Sequence, residues 1–411
     1  MTAGMDQSQK HTMSYKRLLF MSDYPPSTLA GAPVIVKQLL RNYDMTRLDV
    51  LCCKAWYARA TPLVRETYLD CPHTSVPSYR VVDPRPRRVF GPIMSSVDCL
   101  RFYRIMDAGR RLIHEKQIEA IFTAPHHCEF GMAAYHLHRE LGLPLYVFIT
   151  DDWEKGNPEL LPNYLIRRHY ADLVRSARKL WLTSPAMVRD FQQRFGVEGE
   201  FLFHFVDVDR YQQAARDAPT DRDSGKLKVV YTGALNTMFY DTMKVFCQLL
   251  NEGMCVGGRQ VELTIYSSHR HTQLLGEHVF SGGFVKSDDI PDILAGADLL
   301  LIAVSFTQDP AIRKMVETSL YTKTVDYLAS GRPVLVISPP YSGEVDYFGE
   351  ATEVVTTVER EPIEGAIRRL VSDGEYAEAL RRRGLELVRR RHSMESLAQI
   401  FLRHFEEKDE G

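Results

Sequence analysis

Short apolar runs rich in β-branched residues alternate along the chain with longer stretches of helical period. The runs fall at residues 17–21, 50–53, 120–123, 146–150 and 180–183, then at 228–232, 262–266, 298–303 and 334–338. Such alternation predicts parallel strands joined by crossover helices, an α/β architecture. Between the two groups, residues 212–226 read QQAARDAPTDRDSGK, a polar and turn-rich stretch that suits a linker. The pattern therefore predicts two domains, 1–215 and 216–388. Near the end, Leu385, Val388, Leu397, Ile400, Phe401 and Phe405 recur at helical spacing with arginines between them. This predicts a C-terminal amphipathic helix, about 389–411, crossing back to complete the N-terminal domain.

Each half opens alike, with a strand running into a glycine-containing loop: RLLFMSDYPPSTLAGAP at 17–33 and LKVVYTGALN at 227–236. In doubly wound sheets ligands sit beyond the carboxyl ends of the strands. Two such domains face to face would frame a cleft with two ligand shelves.

A chain of 411 residues with 45% hydrophobic and 25% charged residues fits two ordinary globular domains. The formal net charge of −2 gives no global footprint for nucleic acid, so any anion site must be local. No apolar run approaches the roughly 20 residues needed to span a bilayer. The first 15 residues are polar and read as a loose tail without the apolar core of a secretion signal. Seven scattered cysteines suit free thiols in a reducing compartment, so a cytoplasmic protein is expected.

The richest chemistry lies in residues 319–338, SLYTKTVDYLASGRPVLVIS: a helix start, a Gly331 stop, and Pro333 before a buried strand. Lys323 and Asp326 share one helical face, about 4.5 Å apart along the axis. A cation there, near the free N–H groups of the helix start, favours phosphate, and the acid one turn on can accept from ribose hydroxyls. An ordinary surface ion pair has the same spacing.

This run resembles the donor-site helix of family 4 and related GT-B glycosyltransferases, whose motif often reads as a lysine, then an acidic residue, then YLASGRPV. The resemblance extends to DYPP and GAP early in the chain, VDVDRY at 206–211, VVYTGALN, and GGFVKSDDIPDILAGADLLLI at 282–302. It implies two Rossmann-like domains facing across a cleft and a retaining glycosyltransferase. The implied partners are a nucleotide-sugar donor, UDP- or GDP-linked, and a glycan, lipid-linked or small-molecule acceptor, as in glycoconjugate synthesis. It also implies donor contacts from Gly31, Ala32, Gly233, Val285, Thr322, Lys323 and Asp326. Members of the family often carry an arginine and a lysine after the glycine of the VVYTG strand. Here Ala234 and Asn236 stand instead, which shifts the phosphate charge to Lys323 and to Arg313 and Lys314 in the expected loop before the helix. The family's first glutamate is replaced by Thr318, with Glu317 beside it.

In PLYVFITDDW, Asp151 is the candidate catalytic group facing the sugar, and Asp152 a candidate acceptor contact. A helix cap before Trp153 is the alternative. His126 and His127 are further acceptor candidates at a strand end; as neighbours they cannot easily share a metal ion. Asp151–Asp152 and Asp288–Asp289 point apart within each pair, so neither a metal nor another cofactor is expected. The segment from Pro84 to Arg104 sets arginines beside apolar residues and is the candidate for peripheral membrane contact. The arginine triplets at 381–383 and 389–391 read as a solvated helix face. Two other readings stay open: a non-catalytic binding protein on the same scaffold, and a nucleotide-sugar epimerase. A dehydrogenase is excluded by the lack of any G-x-G-x-x-G.

Overall fold

The computed structural model describes residues 14–28, 31–54, 65–76, 102–125, 128–150, 152, 162–218 and 225–407. Two parallel sheets form its frame. The first holds β1 (Leu18–Met21), β2 (Leu48–Cys53), β3 (His73–Val76), β4 (Ala120–Thr123), β5 (Leu145–Ile149), β6 (Lys179–Leu182) and β7 (Glu200–Phe201), in the order β3-β2-β1-β4-β5-β6-β7. The second holds β8 (Lys226–Thr232), β9 (Cys255–Val256), β10 (Arg259–Tyr266), β11 (Val279–Gly283), β12 (Leu299–Ala303), β13 (Val334–Ile337) and β14 (Glu353–Val355). Its order is β11-β10-β8-β12-β13-β14, with β9 antiparallel on β10. The strand order reverses between β1 and β4 in the first sheet and between β8 and β12 in the second, so these are equivalent switch points.

All nine apolar runs lie on strands. Their composition explains this: β1, β5, β12 and β13 are covered on both faces and are buried along their whole length. The strands that the apolar pattern did not reveal, such as β3 (HTSV) and β11 (VFSGG), are partly exposed and carry polar or glycine positions.

The expected linker differs. Its first third belongs to the helix Val208–Asp217, which is capped by the Asp207 side chain and packs on the helices Ile290–Ala295 and Thr322–Ser330 of the second sheet. Gln212 donates to the carbonyl of Ala329 at 2.6 Å. The chain therefore crosses between sheets earlier, across residues 202–207, and polar composition misplaced the boundary because that helix exposes one charged face. Residues 219–224 lie outside the described residues.

The return crossing also differs from one continuous helix. Gly374–Arg391 stays with the second sheet, His392 breaks it, and Ser393 caps a new helix, Met394–Ile400. Phe401 and Phe405 then pack on the first sheet, against Trp181 at 4.9 Å and Tyr146 at 4.5 Å between ring centroids. Lys16 closes the arrangement by donating its N–H to the Phe405 carbonyl.

The two crossings are stapled together. Val206 N–H donates to the His392 carbonyl at 2.8 Å, and His392 Nδ1 donates to the His204 carbonyl at 3.0 Å. Tyr347 Oη meets His392 Nε2 at 3.0 Å. Burial pushes His392 down to about 4, so it stays neutral and takes the Tyr347 hydroxyl proton as acceptor.

Candidate functional site

The site grows from the carboxyl end of β8. Thr232 leads into Gly233, whose φ of 110° lies in a region that side-chain-bearing residues rarely adopt. Lys323, in the first turn of the Thr322–Ser330 helix, reaches back over this glycine. A Cβ on Gly233 would lie 3.3 Å from Lys323 Cε and 3.6 Å from Nζ. The absence of a side chain at 233 is what lets the lysine approach the strand end.

Lys323 Nζ donates to Tyr231 Oη at 2.6 Å, and Tyr231 in turn donates to the Ala234 carbonyl at 2.9 Å. The ammonium lies 3.8 Å from the Phe239 ring centroid and 4.3 Å from that of Tyr231. These faces stabilise a cation. Desolvation acts against it more strongly and lowers Lys323 to about 7, with Glu344 pulling the other way. Two of the three ammonium protons have no described acceptor. The N–H groups of Thr322 and Lys323, at the helix start, have none within the helix.

Glu344 sits fully buried behind this turn. It accepts from Tyr321 N–H at 3.2 Å and from the Thr324 hydroxyl, while Ser342 caps its own helix, Gly343–Phe348. Burial pushes its carboxyl up to about 8, against those hydrogen bonds and Lys323. Near neutral pH the lysine and the acid therefore titrate together. Nothing in the sequence pattern pointed to Glu344, Tyr231 or Phe239. The signal for Glu344 was a Ser-Gly-Glu helix start, which reads as ordinary capping.

Asp326 lies one turn on and is partly exposed. Its Oδ1 accepts from Tyr211 Oη at 2.7 Å and from His204 Nε2 at 3.2 Å. Burial, then Asp326, drives the Tyr211 hydroxyl well above its usual range, so it remains a donor. The carboxylate thus joins the donor helix to the interdomain crossing. Its other oxygen carries no described bond.

The other expected residues are less concentrated. Gly31, at φ 57°, caps the Ala32–Leu40 helix, and its carbonyl accepts from Val34 and Ile35. That helix reaches the interdomain crossing, where Gln38 Nε2 donates to the Phe205 carbonyl at 2.7 Å, while Val285 lies just before the 3-10 turn Ser287–Asp289 of the second domain. Val285 is half-buried beside Phe284, which is 69% exposed. Arg313 stands in a helix, Pro310–Thr318, and not in a loop. Its guanidinium stacks 3.9 Å from the Tyr341 centroid and pairs with Glu317 at 3.3 Å. Lys314 bridges to Asp190 of the first domain at 3.1 Å. Both partners divert charge that phosphate was expected to receive.

Asp152 is corrected as an acceptor contact: its side chain is 1% exposed and pairs with Arg194 at 2.6 Å, which turns the carboxylate inward. Asp151, His126 and His127, and all but the last three positions of the Pro84 to Arg104 segment, lie outside the described residues. Of those three, Tyr103 is exposed. Among the described residues no group of three His, Cys, Asp or Glu side chains could hold a metal ion. No helix among them is long and apolar enough to cross a membrane.

The domains meet along the Pro185–Phe195 helix, which packs on Pro310–Thr318 and Gly343–Phe348. Ser184 Oγ donates to the Thr318 carbonyl at 2.5 Å, and Arg189 pairs with Asp346 at 2.6 Å.

Comparisons agree with this architecture. Residues 248–403 match a family model described as glycosyl transferase-like. No curated protein sequence matches the chain significantly. Among solved structures, HepE from Anabaena in complex with UDP and glucose is 14% identical, with a TM-score of 0.65 over 95% of this chain and 99% of that one. Sucrose-phosphate synthase from Thermosynechococcus elongatus is 12% identical, with a TM-score of 0.68 over 95% and 98%. The α,α-trehalose 6-phosphate synthase from Burkholderia multivorans is 11% identical, with a TM-score of 0.62 over 95% and 96%. The chain has the GT-B fold.

Proposed function

We propose that this GT-B chain is a retaining glycosyltransferase. It takes a sugar from a nucleoside diphosphate, UDP- or GDP-linked, and passes it to a glycan, lipid-linked or small-molecule acceptor. One observation carries the reading: the Lys323 ammonium lies against Gly233 at the carboxyl end of β8, beside the helix N-terminus, at the switch point of the sheet. The likeness to HepE, solved with UDP and glucose, supports the choice of donor.

In this reading the bond from the sugar C1 to the diphosphate breaks while charge builds on the leaving oxygen. Lys323 and the first-turn N–H groups stabilise that charge, a role that needs no metal ion. The acceptor oxygen bonds to C1 from the same face, and its proton passes to the departing phosphate. Asp326 is positioned to accept from ribose through its unengaged oxygen. Asp151, His126 and His127 remain the candidates for the acceptor side. Cys52, Cys53, Cys71, Cys247 and Cys255 are reduced thiols, in keeping with a reducing compartment.

Incubation with UDP- and GDP-sugars, with diphosphate release followed with and without an acceptor mixture, tests the assignment. Acceptor-stimulated release with the anomer retained is expected. Binding without any turnover would favour a non-catalytic nucleotide-sugar binder, a reading to which Ala234 and Asn236 lend weight. Isomerised donor would favour an epimerase.

A further inference from the structure

A second, arginine-lined cavity of about 620 Å³ opens at the opposite end of the donor helix. One wall is the Gly374–Arg391 helix, which presents Arg381 and Arg389 in one row and Arg382 and Arg390 in the next, the two members of each row about two turns apart. The facing wall is the Val208–Asp217 helix, through Gln212. The Gly331 turn lies against both walls: a Cβ there, at φ 72°, would meet Gln212 Nε2 at 3.3 Å and Arg381 Cγ at 3.6 Å. Gly331 keeps the two walls together.

The charge in this cavity is unbalanced. Arg381 is held by Glu378, with contacts of 2.5 and 2.7 Å. Arg382, Arg389 and Arg390 are exposed, and no described carboxylate pairs with any of them. Glu386 stands one turn from both Arg382 and Arg390, yet no ion pair joins it to either. Three guanidinium groups thus converge on a concave space with one acid among them. Sequence alone read these arginines as a solvated face; the opposing Gln212 wall is what changes that.

We propose that this cavity binds a soluble small molecule carrying several phosphate groups, at a site separate from the donor cleft. Guanidinium forks match phosphate oxygens in pairs, and two rows along a helix suit an elongated anion better than a single one. Gly331, which touches both walls, lies about 12 Å along the helix from Lys323, so the two anion sites do not overlap. A membrane surface fits less well, because the one apolar residue lining the cavity, Leu385, is half-buried.

Inorganic tripolyphosphate titrated calorimetrically into the full chain carrying Lys323→Ala provides the test, since that background removes phosphate affinity at the donor cleft. Sulfate at matched ionic strength serves as the control. One-site binding is expected, weakened roughly tenfold or more when Arg382→Gln, Arg389→Gln and Arg390→Gln are added. The melting temperature should not fall, because the three side chains are exposed. Equal affinity in both proteins, no binding at low salt, or sulfate binding equally well would overturn the proposal. So would arginine-dependent sedimentation with phosphatidylserine vesicles in the absence of tripolyphosphate binding, which would assign the patch to a membrane instead.

Discussion

Gly233 and Lys323 fit against each other: the lysine stem occupies the space that any side chain at 233 would need, with Cε 3.3 Å from the place of a Cβ. The strand end and the helix start come from segments about 90 residues apart in sequence, and the missing side chain of one places the charge of the other. Gly233→Ala is therefore expected to act twice. A residue with a Cβ at φ 110° costs about 1–3 kcal/mol in backbone strain, and Lys323 is displaced as well. Chemical denaturation should register the first loss, and nucleotide affinity the second. Wild-type stability together with wild-type affinity in the variant would refute both.

Affinity for a nucleoside diphosphate should fall as pH rises above about 7. Lys323 is lowered to about 7 in the free protein, so above that pH the ligand must bind with uptake of a proton. Ionisation of Glu344, raised to about 8, adds negative charge behind the site and acts in the same direction. Tyr231 stays protonated throughout, because burial drives it far above its usual range. The limiting slope approaches roughly tenfold per pH unit for one proton. Lys323→Ala should make the profile shallower above pH 7, because the lysine's share of the proton uptake is lost and only that of Glu344 is left. An unchanged slope in that variant would contradict the assignment.

Stability carries a signature of its own at Glu344, and it runs in the same direction. Its folded-state value is raised from 4.5 to about 8, so its contribution is most favourable below 4.5 and declines as pH rises toward 8. Glu344→Gln keeps a hydrogen-bonding side chain of the same size without that ionisation. The difference in melting temperature between variant and wild type should move in the variant's favour across this window. A constant difference would show that Glu344 does not titrate there.

Asp326 is held by Tyr211 and His204 at the interdomain crossing. Tyr211→Phe deletes one hydrogen bond to a carboxylate, worth about 1.5–3 kcal/mol. Asp326→Ala removes the acceptor altogether and leaves two buried donors facing it. Nucleotide affinity should drop in Asp326→Ala and change little in Tyr211→Phe, because the hydroxyl touches only the oxygen turned away from the ribose position. Equal losses in both would mean that Asp326 acts through the crossing alone.

Much of the frame was legible in the chain because parallel strands covered on both faces write themselves as continuous apolar runs, as in LLLIA of β12. The donor helix was legible for a different reason: Gly331 and Pro333 mark its end, and Lys323 and Asp326 mark its face. What stayed hidden depends on contacts between distant segments. Glu344 looked like a capping residue, and only tertiary packing buries it behind Lys323. Arg313 read as a free loop cation, whereas its helix sets Glu317 one turn away and Tyr341 beneath it. Asp152 read as cleft-facing, but Arg194 draws it inward from a helix that begins about 30 residues later. The domain boundary was missed because the Val208–Asp217 helix is polar in composition and amphipathic in arrangement, which a window average erases.

The central claim is that Lys323, set against Gly233, anchors a diphosphate. Calorimetric titration of UDP and GDP, each beside its nucleoside, into wild type and Lys323→Ala tests it most directly. At pH 6.5 the account predicts that one diphosphate binds far more tightly than its nucleoside in the wild type, and that this advantage shrinks by roughly tenfold or more without the ammonium. A diphosphate that binds no better than its nucleoside, or an advantage that survives in Lys323→Ala, would contradict it.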